Sequence, residues 1–368
     1  MPPIEGWAQA DGTRAFADRA VASRHLPAAH FRPAWGGLTV SSLGLGTYLG
    51  AADGPTDRAV EEAVRTCLGS GRVNFLDTAI NYRNQRAERS VGRALAGLIE
   101  QGRISREEVV VATKSGYLAP DGESGLAAGP WIERELLRPG VLARGDLVDG
   151  SHAMSVSFLA DQFERSRANL GLDSLDLVYL HNAPDVQIPS VGRTRFLERL
   201  TEAFTFYERL RSADRLRAYG LATWDSLRAP RSDPGYLSLE EAVGVARAVG
   251  GERHGFRYIQ FPFHLGLPEA AVLRNQSVRG ERLTVFHAAS LLGLGCVTSV
   301  PLGQGEWTGP GSTPSGLTVT QEAIQFARSA PGALVTLIGQ KRPEHLSENL
   351  EVAGRVPWDP EEFRTHLP

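Results

Sequence analysis

Short apolar runs rich in β-branched residues alternate along this chain with longer stretches in which apolar residues recur every three or four positions. The first pattern reads as buried strand and the second as amphipathic helix. Strands are expected at Ser42–Gly46, Val73–Asp77, Val109–Lys114, Leu175–His181, Ala218–Ala222, Tyr258–Pro262, Gly295–Ser299 and Leu334–Ile338. Helical stripes run through "DRAVEEAVRTCLGSG", "VSFLADQFERSRANLGL" and "RFLERLTEAFTFYERLRSADR", and through "TVTQEAIQFARSAPG" and "RPEHLSENLEVAG" near the C-terminus. Nearly all-apolar strands, each followed by a helix, imply a parallel sheet covered on both faces. Eight such units suit a closed (β/α)8 TIM barrel better than an open sheet. The expected organisation is an N-terminal extension over residues 1–35 and one α/β barrel domain over 36–368. Two segments break the alternation. Residues 117–153 form a connection after strand three far longer than usual, which points to a functional loop on the active-site face. The Gly/Pro/Ser-rich "GQGEWTGPGSTPSG" reads as a mobile connection.

Composition narrows the function classes. With 42% hydrophobic residues the 368-residue chain can fill one large core. The formal net charge is −3, and arginines are interleaved with acidic residues, so the basic stripe of a nucleic-acid binder is missing. Cys67 and Cys296 lie in no CxxC or Cys/His cluster, which gives no disulfide framework and no zinc site. "MPPIEGWAQADGTRAF" has neither the basic start nor the apolar stretch of a secretory leader. The longest apolar run, "LLGLGCVTSVPLG", is too short and broken to span a bilayer. A soluble, cytoplasmic protein with no membrane partner is expected.

Chemistry collects at the strand ends. Barrel enzymes carry their reacting groups at the C-terminal ends of the strands. Strand two ends at Asp77 with Tyr82 in its loop, strand three at Lys114 and strand four at His181. Each has an ordinary explanation alone: a cap, a surface phenol, a snorkelling lysine, a satisfied histidine. Their convergence from independent strands favours a site. A phenol of pKa about 10 is a poor proton donor at neutral pH. An ammonium about 4 Å away is worth roughly 4 kcal/mol at an effective dielectric near 20. That is enough to lower the phenol by up to about three pH units. Asp77 would hold the lysine charged and in place, and His181 would aim a carbonyl oxygen. The group reads as a general acid for carbonyl reduction.

"DTAINY", "VATK" and "YLHN", with "GLGTYLG", "VPLGQG" and "IGQKRPEHLSENL", resemble the aldo-keto reductase superfamily from about Leu38 to Gly354. The resemblance implies hydride transfer between NADPH or NADH and an aldehyde or ketone, or the reverse from an alcohol or lactol. It assigns Asp77, Tyr82, Lys114 and His181 as the catalytic tetrad. "GLGTYLG" is spaced GxGxxxG, and no acidic residue closes a strand about 20 residues on, so it is not a Rossmann fingerprint. The resemblance instead places Gly46, Thr47 and Tyr48 beside the nicotinamide, with Asp77.

Other cofactor contacts carry over position by position. Where the family has Ser-Asn after strand five, this chain has Ala222 and Thr223; Gln260 matches the family glutamine of that carboxamide clamp. Ser299 stands where a tyrosine commonly stacks on the nicotinamide ring. Pro301, Leu302 and Gln304 would follow the pyrophosphate. The adenosine end falls on Gly339, Gln340, Lys341, Arg342, His345, Glu348 and Asn349. His345 replaces an arginine that grips the 2′-phosphate, with Lys341 and Arg342 nearby and helix amides to assist. NADP(H) is therefore expected ahead of NAD(H). The substrate pocket is assigned to Tyr48, Tyr82, His181 and Trp224. His152, His254, His264 and His287 lack metal-ligand spacing, and His152 is expected at a loop surface. The alternatives are a catalytically weak, nucleotide-sensing subunit of the same fold and a lyase using Lys114 as a Schiff base.

Overall fold

The computed structural model describes residues 2–309, 311–339 and 342–367. Its centre is a closed barrel of eight parallel strands. These are β1 (Leu43–Gly46), β2 (Phe75–Asp77), β3 (Val110–Ser115), β4 (Leu175–His181), β5 (Leu216–Ala222), β6 (Phe256–Pro262), β7 (Gly295–Ser299) and β8 (Ala333–Gly339). The ring closes where β8 pairs with β1, matching Thr336 to Leu43 and Gly339 to Gly46. Each strand lies within a residue or two of its expected position. The helices packed outside the barrel include α1 (Gly54–Gly69), α2 (Arg86–Glu100), α3 (Val156–Leu170), α4 (Arg193–Ser212), α5 (Leu239–Gly250), α6 (Val285–Leu291), α7 (Val319–Ser329) and α8 (Pro343–Glu351).

Because strand side chains alternate between faces, two cores form. Phe75, Val110, Ala112, Leu177, Tyr179, Tyr258, Val297 and Val335 fill the barrel interior. Leu76, Val111, Val178, Leu221, Ile259 and Ile338 face outward and pack under the helices. Gly220 has to be glycine: a Cβ there would lie 2.4 Å from the Tyr258 carbonyl oxygen and 2.7 Å from the Tyr179 ring. Carried to the strand ends, the same alternation brings Gly46, Asp77, Lys114, His181, Ala222, Gln260 and Ser299 to the inner rim.

The first residues form more than a tail. Ala10–Arg24 is a helix that buries Phe16, Ala17 and Ala20 in the outer core. Its apolar face is small and interrupted, which hid it from periodicity. The 117–153 connection also has structure of its own. Ala128–Ile132 continues into a wider turn over Glu133–Leu137, and Trp131, Leu136 and Leu142 share a small core with Ala153 and Phe158. Among the described residues no helix is long and apolar enough to cross a membrane.

His30 and His152 are fully buried. Burial, chiefly, lowers their pKa values from 6.5 to about 3 and about 4. The fold therefore favours the neutral ring, while the unfolded chain takes up protons below about 6.5. Stability is complete above that value and lost as pH falls towards 4, by roughly 1.4 kcal/mol per histidine per pH unit. Urea midpoints should be level at pH 7–8 and clearly lower at pH 5. A midpoint unchanged at pH 5 contradicts this.

Candidate active site

The barrel mouth opens on a cavity of about 490 Å³. The expected residues Gly46, Thr47, Tyr48, Asp77, Tyr82, His181, Thr223, Trp224, Gln260, Ser299, Pro301, Leu302, Gln304 and Gly339 all line it. Lys114 sits just beneath, only 1% exposed. Its ammonium is ion-paired with Asp77 Oδ1 and donates to the Thr78 carbonyl at 2.9 Å. The second Asp77 oxygen accepts from Gln260 Nε2 at 2.8 Å. The Lys114 nitrogen lies 4.7 Å from the Tyr82 ring centroid. Tyr82 packs against Tyr48 (centroids 5.0 Å) and edge-on to His181 (5.6 Å).

The electrostatics correct one expectation. Burial pushes the Tyr82 phenol up and the Lys114 charge pulls it down by less, so the net direction is above, not below, the usual phenol value. The attraction of a nearby ammonium can be read from the sequence, whereas the desolvation of a nearly enclosed ring cannot. Burial would lower Lys114, but Asp77 and Tyr82 beside it raise the ammonium overall. A Schiff-base lysine needs the opposite shift, so the lyase alternative loses its support. Burial also pushes His181 well below its ordinary value, with Lys114 and His152 adding to it, so its ring is neutral. Its Nδ1 lies 3.2 Å from the Asn81 side-chain amide. Whichever amide atom faces Nδ1 fixes the nitrogen that carries the proton.

The cavity includes residues the sequence did not single out: Leu49, Asn81, Tyr117, Asn182, Val300 and Thr308 among them. Tyr117 heads the long connection, and that position was the available signal. His152 corrects another expectation. Predicted at a loop surface, it is wholly enclosed, with Nε2 2.9 Å from the His181 carbonyl oxygen. At the adenosine end, Gln340 and Lys341 lie outside the described residues. Arg342 and His345 are exposed at the start of α8. Glu348 accepts the Thr318 hydroxyl at 2.7 Å, and Asn349 is buried. Thr223 Oγ1 at the cavity and Asn349 Oδ1 at the adenosine end are both buried without a hydrogen-bond partner. Among the described residues no group of three or more His, Cys, Asp or Glu converges to hold a metal ion.

A single carboxylate shapes the wall after β5. Asp185 Oδ1 accepts from Asp225 N (2.7 Å), Ser226 N (2.9 Å) and Ser226 Oγ (2.9 Å), and Oδ2 accepts from Trp224 N (3.1 Å). These bonds hold Thr223 and Trp224 at the cavity. Asp185→Ala should cost about 1.5–3 kcal/mol of stability, the range for hydrogen bonds to a charged group. Its cofactor dissociation constant should also rise, and Asp185→Asn should lose less of both. Thermal unfolding and a binding titration check this; an unaltered affinity would show that the wall orders itself.

The family model described as "Aldo/keto reductase family" matches residues 42–231, just over half of the chain. The chain belongs to the aldo/keto reductase family. Similar solved structures include an aldo-keto reductase of Bacillus halodurans in its holo form, 18% identical with a TM-score of 0.62, covering 92% of this chain and 96% of that one. An aldo/keto reductase of Klebsiella pneumoniae in complex with NADP and acetate is 18% identical, with a TM-score of 0.57, over 92% and 94% of the two chains. At these identities the likeness is one of fold. Among curated proteins, a "Probable voltage-gated potassium channel subunit beta" of Arabidopsis thaliana is 22% identical over 360 residues, 87% of this chain and 90% of the relative.

Proposed function

We propose that this aldo/keto reductase family member is a soluble, cytoplasmic oxidoreductase that transfers hydride between a nicotinamide cofactor and a small aldehyde or ketone, or the corresponding alcohol or lactol. NADP(H) is the preferred cofactor and NAD(H) the alternative. The reading rests on the convergence of Tyr82, Lys114, Asp77 and His181 at one cavity. The buried ion pair keeps a permanent positive charge beside the phenol. That charge matters most when a proton leaves Tyr82 and the oxygen becomes anionic. The raised pKa keeps the phenol protonated, the form a reduction needs. The neutral His181 ring sets where a substrate oxygen can sit beside Tyr82.

The chain's polar groups fit a nicotinamide dinucleotide. The unpartnered Thr223 hydroxyl suits a carboxamide, and the unpartnered Asn349 oxygen suits the amino group of an adenine. Gln260 uses its Nε2 on Asp77 and keeps its amide oxygen as an acceptor. Arg342, His345 and the first amides of α8 favour an adenosine 2′-phosphate. The Klebsiella reductase of similar fold was solved with NADP. When bound, the nicotinamide ring supplies or accepts the hydride.

The test follows absorbance of NADPH and NADH with a panel of aldehydes and ketones. Carbonyl-dependent oxidation supports the enzyme. Tight cofactor binding without turnover on any member favours a second reading, a nucleotide-sensing subunit. Two observations support that reading: the potassium channel subunit relative, and the absence of a side-chain donor at Ala222 and of an aromatic ring at Ser299.

A further inference from the structure

The interior side of the 117–153 connection holds a second, fully enclosed histidine that the tetrad chemistry leaves unused. His152 has polar partners on both ring nitrogens. Nε2 lies 2.9 Å from the His181 carbonyl oxygen, and Nδ1 lies 2.9 Å from Gln187 Nε2. Gln187 Oε1 in turn accepts from Arg199 Nη1 at 2.5 Å. One group fixes the direction of every bond. A guanidinium only donates, so the oxygen of the Gln187 amide must face Arg199. Its NH2 then donates to Nδ1, which must be bare. The ring proton is left on Nε2, aimed at the His181 carbonyl. Burial supports the same state, holding the ring neutral with a pKa brought down to about 4.

The surroundings are built to admit this ring. Gly116 lies against it at φ +126, and a Cβ there would fall 2.5 Å from His152 Nε2. Gln162, itself buried, clamps the adjoining backbone, accepting from Gly116 N (2.8 Å) and donating to the Tyr117 carbonyl (2.6 Å). Tyr117 stands edge-on to both histidines, at 5.1 Å from each. Beyond His181 the chain turns at once through Asn182, φ +48, where Asn182 N donates to the Ala222 carbonyl at 2.6 Å. His181 is therefore held at its carbonyl by His152 and met edge-on at its ring by both Tyr82 and Tyr117.

We propose that His152 is a positioning residue: through the Arg199–Gln187–His152 chain, a single ring tautomer fixes the His181 backbone and the Tyr117 ring, and so the place of the substrate oxygen relative to Tyr82. The proposal rests on the function given above. It assigns the long connection a part in catalysis through its buried end. Misplacing a reacting group by about 1 Å can cost on the order of 100-fold in rate, so a hydrogen bond this close to His181 is positioned to matter.

The experiment uses the full chain. His152→Phe keeps a ring and removes both nitrogens; His152→Gln restores an amide that can donate to the His181 carbonyl. His152→Phe should lower kcat by about tenfold or more, with the KM for reduced cofactor unchanged, and His152→Gln should recover most of the loss. Arg199→Met, at the far end of the chain, should shift kcat in the same direction by a smaller factor and keeps the test open if His152→Phe does not fold. A fall in thermal midpoint with kcat per folded molecule unchanged would overturn the proposal. Histidine-ring NMR of the labelled protein reads it independently of turnover. The expected spectrum has His152 protonated on Nε2 alone at pH 7, and His181 ring signals that move in His152→Phe. A proton on Nδ1, or unmoved His181 signals, would overturn the proposal even if the wild type proved inactive, whereas inactivity by itself would count only against the reductase.

Discussion

Tyr82→Phe is expected to reduce carbonyl-reducing kcat by roughly 10²–10⁴-fold, the usual contribution of a positioned general acid. The substitution isolates one atom. The ring contacts to Tyr48 and His181 and the Lys114 ammonium over the ring face are all available to phenylalanine. Thermal stability and cofactor affinity should therefore hold while turnover collapses. The raised phenol pKa adds a second expectation. Wild-type reduction should keep its rate through neutral pH and fall only in the alkaline range, because the donor stays protonated until then. Steady-state kinetics with reduced cofactor, paired with a cofactor binding titration, provide the check. Unchanged turnover in Tyr82→Phe would remove Tyr82 from the chemistry and with it the proposed proton path.

The barrel was legible because its strands are apolar on both faces and the inward alternation of each ends on a polar or small residue. That same alternation is why Asp77, Lys114 and His181 could be placed together from sequence. What surrounds them was less visible, for three physical reasons. Backbone strain has no periodicity: Arg83, Asn84 and Gln85 all adopt positive φ (48°, 55°, 68°) directly after Tyr82. The turn is held by Arg83 on Asp57 at 2.5 Å and Gln85 Nε2 on the Ala119 carbonyl at 2.7 Å. Partners far apart in sequence cannot be matched by spacing, as with His152, Gln187 and Arg199. Desolvation depends on enclosure, which only the folded chain reveals, so the direction of the Tyr82 shift was misjudged while its neighbours were named correctly. The N-terminal helix fell to a fourth cause, an apolar face built largely from alanine.

Removing one member of the Asp77–Lys114 pair should be the most destabilising change at the site. Both side chains are almost completely enclosed, 2% and 1% exposed. Breaking a buried ion pair leaves an uncompensated charge and typically costs about 3–5 kcal/mol. Asp77→Asn removes the main interaction that holds the Lys114 ammonium charged against its burial, so the variant must either keep a bare charge inside or give up the proton, and both cost stability. Lys114→Met strands a carboxylate that retains only the Gln260 donor. Each single variant should unfold at clearly lower urea than the wild type. The double variant Asp77→Asn with Lys114→Met should recover a large part of that loss, because no bare charge is left inside and methionine fills much of the lysine volume. Urea denaturation of the four proteins measures the coupling directly. Losses that simply add would mean that the two groups are solvated independently and that the pair supplies no fixed field. Activity should separate from stability in the same set: the double variant, refolded but lacking the positive charge under the Tyr82 ring, should remain as slow as either single one. A double variant that regains both stability and turnover would show that Tyr82 needs no ammonium, leaving the pair a purely structural element of the barrel.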